Sequence, residues 1–188
     1  PLCAWILRSA VLPSPLHMPT LTVVYFPGET IGNFEPREGL ECWQRIANVA
    51  GRGGGLLMGV DLQKDQNVIE AAYNDKDGIT AQFNLNLLAH INREIGANFD
   101  LSRWEHDAIY NSEAGRIEMY LISATDQTVR MQDRQFHFRA GEKILTERSY
   151  KHTSEGFIEL ARQAGFDFVK LWTDQARLFG VFYFLAAT

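Results

Sequence analysis

The stretch LTVVYFPGETIGNFEPREGLECWQRIANVAGRGGGLLMGVDL, residues 21–62, decides the fold. It opens on Leu21-Thr22-Val23-Val24-Tyr25-Phe26, a short run rich in β-branched and aromatic residues that Pro27-Gly28 ends. Its near-continuous apolarity predicts a strand covered on both faces, as in a parallel sheet. From Pro36 to Val49 the apolar positions Leu40, Trp43, Ile46, Ala47 and Val49 recur at helical spacing. Gly51 to Gly55 closes that helix, and Leu56 to Leu62 reads at once as a second strand. Strand, helix and strand over so short a span form a parallel βα unit. Asp61 then falls at the carboxyl end of its strand, where open α/β sheets place ligands.

Upstream, Pro13, Pro15 and Pro19 mark an extended lead-in. Downstream the character changes. Asn67 to Asn74 and Ala81 to Ile95 read as helices joined by Lys76-Asp77-Gly78. Trp104–Tyr110, Ile117–Ile122, Thr128–Met131 and Phe136–Arg139 read as strands of one antiparallel meander. Ser154 to Ala164 returns to helix, stopped by Gly165, and two apolar strands follow, Phe166–Thr173 and Phe179–Ala186. The pattern predicts an α/β core, residues 1–62 and 152–188, interrupted by an inserted α+β lobe, residues 63–151.

Hydrophobic residues make up 46% of the 188 and charged residues 22%, enough for a packed core. A net charge of -5 with no basic stripe argues against a nucleic-acid groove. No stretch reaches the ~18 apolar residues of a membrane span, and Pro1 to Leu7 is too short and lacks the basic flank of a signal peptide. Cys3 and Cys42 are isolated, which fits a reducing cytoplasm and neither a disulfide framework nor structural zinc. His17, His90, His106, His137 and His152 form no metal-ligand spacing and read as structural or surface residues. The run Gly51-Arg52-Gly53-Gly54-Gly55 follows a helix and precedes a strand, the wrong context for cradling a phosphate or cofactor.

Four segments carry more than fold: Phe26 to Phe34 (FPGETIGNF), Ala72-Tyr73-Asn74-Asp75 with Gly78 to Asn84, Arg116-Ile117-Glu118-Met119, and Gly141 to Lys151 containing TERSYK. In this order they resemble the histidine-specific, S-adenosylmethionine-dependent methyltransferases of ergothioneine biosynthesis, from about Leu12 onward. The resemblance implies a partial Rossmann-like methyltransferase sheet and S-adenosylmethionine as cofactor. It implies that Asn33 and Tyr73 hold the carboxylate of an amino-acid substrate, with Gly28 in the same pocket wall. It further implies that Glu147 and Ser149 read an imidazole, that Met119 lines the side-chain pocket, and that Thr80 and Phe83 lie near the amine. The implied product is the trimethylated betaine of L-histidine, with no catalytic residue beyond those that position substrate. Another amino acid, such as tryptophan, is the alternative substrate, and an inactive fragment the alternative of a different class.

These residue types suit that chemistry. An amide and a phenol donate to a carboxylate without adding a competing charge. A glutamate accepting from an imidazole N–H makes a charge-assisted bond of roughly 1.5–3 kcal/mol. Each residue also has a plain structural role open to it: Asn33 as a turn cap, Tyr73 as an amphipathic helix residue, Glu147 and Ser149 as one solvated strand face, Met119 as core filler, Asp61 and Asp75 as caps.

Against the family pattern, Trp5 follows Ala4 where an aspartate is usual, Glu29 replaces a small hydroxyl residue, and Arg148 replaces an asparagine. The Gly-rich cofactor turn and the acidic ribose contact of the family have no counterpart in the sequence, so the cofactor-binding half is expected to be absent. A half sheet would leave the edge and apolar face of Leu21 to Phe26 uncovered and the chain alone inactive and poorly stable.

Overall fold

A computed structural model describes residues 21–187. The proline lead-in, Trp5, Cys3 and His17 lie outside the described residues. The described residues divide into two compact units, one formed by those up to Gln63 and from Tyr150 onward, the other by Lys64–Ser149. Gln63, Tyr150 and Lys151, expected in the inserted lobe, therefore belong to the outer unit.

The outer unit holds β1 (Val23–Phe26), a 3-10 turn Glu29–Asn33, α1 (Pro36–Ala50) and β2 (Gly55–Asp61). It resumes with α4 (Ser154–Gln163), β8 (Phe166–Thr173) and β9 (Phe179–Ala186). The strand order is β1-β2-β9-β8. β1 pairs parallel to β2, as the βα unit requires, while β9 runs antiparallel to both β2 and β8. α1 starts well because Pro36 sits where no amide hydrogen is needed, and Glu35 and Glu38 form a reciprocal capping box. It ends at Gly51, whose φ of 70° a side chain would disfavour. Gly59 has a different reason: a Cβ there would lie 2.5 Å from the Pro27 carbonyl oxygen.

One face of this sheet is closed. Leu56, Met58 and Val60 of β2 and Phe182 and Phe184 of β9 are fully buried with Trp43 and Ile46 of α1 and Phe157 of α4. The Trp43 indole makes edge contacts with Phe157, Phe166 and Phe184 at ring separations of 5.2, 5.8 and 5.5 Å. Cys42 is buried in the same cluster as a small hydrophobe. The opposite face is more open: Val23, Tyr25 and Trp172 are 51%, 67% and 45% exposed. β1 is at the edge of the described sheet and open on one side, the uncovered edge and face expected of Leu21 to Phe26. Alternate residues of the run, Val24 and Phe26, pack into the core.

The inserted unit holds α2 (Gln66–Tyr73), α3 (Ile79–Ile95), β3 (Trp104–Asn111), β4 (Arg116–Ser123), β5 (Gln127–Met131), β6 (Arg134–Phe138) and most of β7 (Lys143–Tyr150). The predicted single meander is instead two ladders, a sheet of order β3-β4-β7 and a separate β5-β6 hairpin. β7 takes the place beside β4 that sequence order would assign to β5. Among the described residues no helix is long and apolar enough to cross a membrane, and no group of His, Cys, Asp and Glu could hold a metal ion.

Two outcomes are expected. Trp43→Ala removes a side chain that joins two helices to two strands, and should lower unfolding free energy by about 3–5 kcal/mol in denaturant titration. The second concerns His152, whose ring packs 5.2 Å from Phe157. Burial, with the Lys151 charge beside it, pushes its pKa from 6.5 to about 4. Between those values the unfolded chain binds a proton that the folded chain does not, so stability contributed here is full above pH 6.5 and is lost as pH falls toward 4. His152→Leu should flatten stability against pH in that window, by at most about 1.4 kcal/mol per pH unit.

Candidate functional site

In the outer unit, Gly28 and Asn33 bracket the 3-10 turn after β1. Ile31 and Gly32 between them are buried, so the turn is anchored by its middle, while Gly28 and Asn33 themselves are exposed. Gly28 has extended backbone at φ -91°, and a Cβ there would meet nothing closer than 3.8 Å. The turn is held further along as well. Lys151 Nζ, with no exposure, pairs with Glu29 and lies 3.2 Å from Asp61 Oδ2 at the end of β2. Tyr150 Oη donates to Glu35 Oε2 at 2.9 Å.

In the inserted unit, Tyr73 is the last residue of α2 and packs with Ile69, Ala108, Ile117 and Met119. Met119 is 2% exposed and faces this cluster from β4. A buried polar chain fixes the end of α2. Asn84, 3% exposed, donates to His106 Nδ1 at 3.0 Å and to the Tyr120 carbonyl at 3.1 Å. His106 Nε2 in turn donates to the Tyr73 carbonyl at 2.8 Å, which selects the tautomer. Asn74 adds two bonds to the backbone of Ala108, at 2.8 and 3.0 Å.

Asp75 caps α3, accepting from the amides of Ile79 and Thr80 at 2.8 Å. The Thr80 hydroxyl also binds it, and these bonds hold its pKa down to about 2. Asp75 is thus a cap and the Thr80 side chain its partner, while Phe83 on the same helix is 66% exposed. Glu147 and Ser149 both lie on β7, Glu147 half-buried and Ser149 2% exposed. Thr146 Oγ1 donates to the Met119 carbonyl at 3.0 Å, so β7 is tied to the strand that carries Met119.

Sequence reading assigned no role to Glu118, which lies between the two core residues Ile117 and Met119 on β4. It accepts from Arg116 Nε at 2.7 Å and from the Tyr120 hydroxyl. The Tyr120 bond first, then Arg116, holds its carboxyl below the usual range, and the same bond raises the Tyr120 phenol. Strand alternation turns this cluster away from the Met119 face. A charge two residues from another along a predicted strand was the signal that could have found it. Lys151 and Asp61 were equally missed as partners, because nothing in sequence links positions so far apart.

Residues 9–186 match the family described as histidine-specific methyltransferase, SAM-dependent. Histidine N-alpha-methyltransferase of Mycolicibacterium smegmatis is 43% identical over 161 residues, 85% of this chain and 50% of that protein. Its counterpart in Mycobacterium tuberculosis is 42% identical over 158 residues, 83% of this chain and 49% of that protein. An L-tryptophan methyltransferase of Psilocybe serbica is 28% identical over 160 residues, 81% of this chain and 43% of that protein. The chain spans about half the length of these curated relatives. Among the described residues the one Gly-rich run, Gly51 to Gly55, leads from α1 into β2 and not from a strand into a helix. On the family match over nearly its whole length, the chain belongs to the histidine-specific, SAM-dependent methyltransferases.

Proposed function

We propose that this chain supplies the amino-acid-reading part of an enzyme that methylates the α-amino group of L-histidine to the trimethyl betaine, with S-adenosylmethionine as methyl donor. The observation that carries the reading is the pairing of a half-buried carboxylate, Glu147, with the buried hydroxyl of Ser149 on one strand, beside a strand whose core face carries Met119. A carboxylate and a hydroxyl match the donor and acceptor nitrogens of an imidazole, and a thioether packs against its faces. Tyr73 and Asn33 are the donors proposed for the substrate carboxylate, Gly28 a neighbouring wall, and Thr80 and Phe83 the neighbours of the amine. The chain's own contribution to rate is positioning: the amine must be neutral and held in line with the methyl group it receives.

Tryptophan is the second reading, favoured by the 28% identity to a tryptophan methyltransferase. The pair Glu147 and Ser149 argues against it, since an indole offers one N–H and no second ring nitrogen to meet the hydroxyl. Isolated cysteines support a cytoplasmic setting.

Calorimetric titration of L-histidine into the protein expressed from its entire open reading frame tests the assignment. Glu147→Ala should weaken L-histidine binding by roughly 10- to 100-fold, the value of one charge-assisted hydrogen bond. Binding that survives Glu147→Ala unchanged, or tryptophan binding tighter than histidine, would overturn the substrate. Failure of both amino acids to bind would favour the inactive-fragment alternative.

A further inference from the structure

We propose that Lys151, together with Tyr150, is a positioning residue: the two grip the Glu29–Glu35 segment near both ends and so aim the Asn33 amide at the substrate carboxylate. The proposal rests on the reading of Asn33 as a carboxylate donor. Lys151 is 3% exposed and its side chain not at all, an expensive place for an ammonium ion. It is paired there with Glu29, the first residue of the 3-10 turn, and with Asp61, the last residue of β2. The sheet therefore supplies the fixed point and Glu29 the gripped one.

Six residues on, Glu35 accepts from Tyr150 Oη while its side chain also caps α1. Between these anchors Ile31 and Gly32 are sunk in the core, and Asn33 is left exposed. The backbone is thus restrained before and after the exposed Asn33.

Stability does not explain such a cluster. Well-packed apolar residues of similar volume commonly serve as well as a buried ion pair or better, whereas an ion pair specifies one geometry. A loose turn would have to be ordered whenever substrate bound, and that ordering would weaken affinity.

The test is a set of L-histidine titrations of the protein from its entire open reading frame, with E29Q, Y150F, N33A and the E29Q/N33A pair. E29Q is isosteric and leaves Lys151 its Asp61 partner, and Y150F removes one hydroxyl, so both are the mildest changes that loosen the grip, and circular dichroism should show the parent's fold in each. Each should raise the Kd for L-histidine about three- to tenfold, and E29Q should have no further effect once Asn33 is alanine. A purely structural role would instead weaken binding as much in the N33A background as in its absence, which overturns the proposal. E29Q and Y150F binding like the parent while N33A is impaired would also overturn it, and leave the reading of Asn33 standing. N33A binding like the parent, or no histidine binding by the parent, removes that reading and the proposal with it.

Discussion

Trp43 brings its indole edge-on against Phe157 of α4, Phe166 at the start of β8 and Phe184 of β9. Those elements lie more than a hundred residues apart in sequence from the helix that carries it, so this one contact closes the outer unit across the whole insertion. Each ring removes a large apolar area from water, and edge contacts of this kind add about 0.5–1.5 kcal/mol beyond that area. The consequence is geometric. With α1 and α4 held on one face by the aromatic cluster, β1 and β2 end in register, and their carboxyl ends carry the Gly28–Asn33 turn and Asp61.

The outer unit was largely legible because its signals are local. A β-branched run, a 3.6-residue period and a glycine stop are each written within a few consecutive residues, and Phe166–Thr173 and Phe179–Ala186 came out as read. Strand order is another matter. The partners of β7 and of β5 are decided by which side chains bury best together, and nothing in either segment names its neighbour. Hence four strands in sequence looked like a meander, while the fold splits off the β5-β6 hairpin and inserts β7 beside β4.

The candidate site divides along the same line. Motif residues were visible as motifs, but except for Asp75, for which a cap was one of the roles left open, the work of each was not. In Ala72-Tyr73-Asn74-Asp75 the last two are spent on structure: Asn74 ties α2 to the backbone of β3, and Asp75 caps α3. Asn84, from a motif segment, and His106, read from sequence as structural or surface, hold the Tyr73 carbonyl and so fix where α2 ends. Buried polar groups that satisfy one another in this way permit one arrangement and penalise others, because an unpaired member costs about 1–3 kcal/mol. On the proposed reading, the motif thus carries, beside the residue that would bind substrate, residues whose task is to keep it still.

Local restraint matters more for the proposed chemistry than for reactions run by an acid or a base. A methyl transfer to a neutral amine leaves the protein little to do beyond holding the nucleophile at the right distance and angle, and misplacement by about 1 Å can cost on the order of 100-fold. Recognition through neutral donors such as an amide and a phenol makes the demand sharper, since a dipole loses its interaction with direction faster than a full charge does. Both donor residues proposed here sit at the ends of short elements, Asn33 at the close of a 3-10 turn and Tyr73 at the close of an eight-residue helix, places that fray unless tied. Each is tied by buried polar groups from elsewhere in its own unit: ion pairs and a phenol beside Asn33, an amide–imidazole chain behind Tyr73. The same solution reached twice, with different residues, is what a site that works by position requires of a fold.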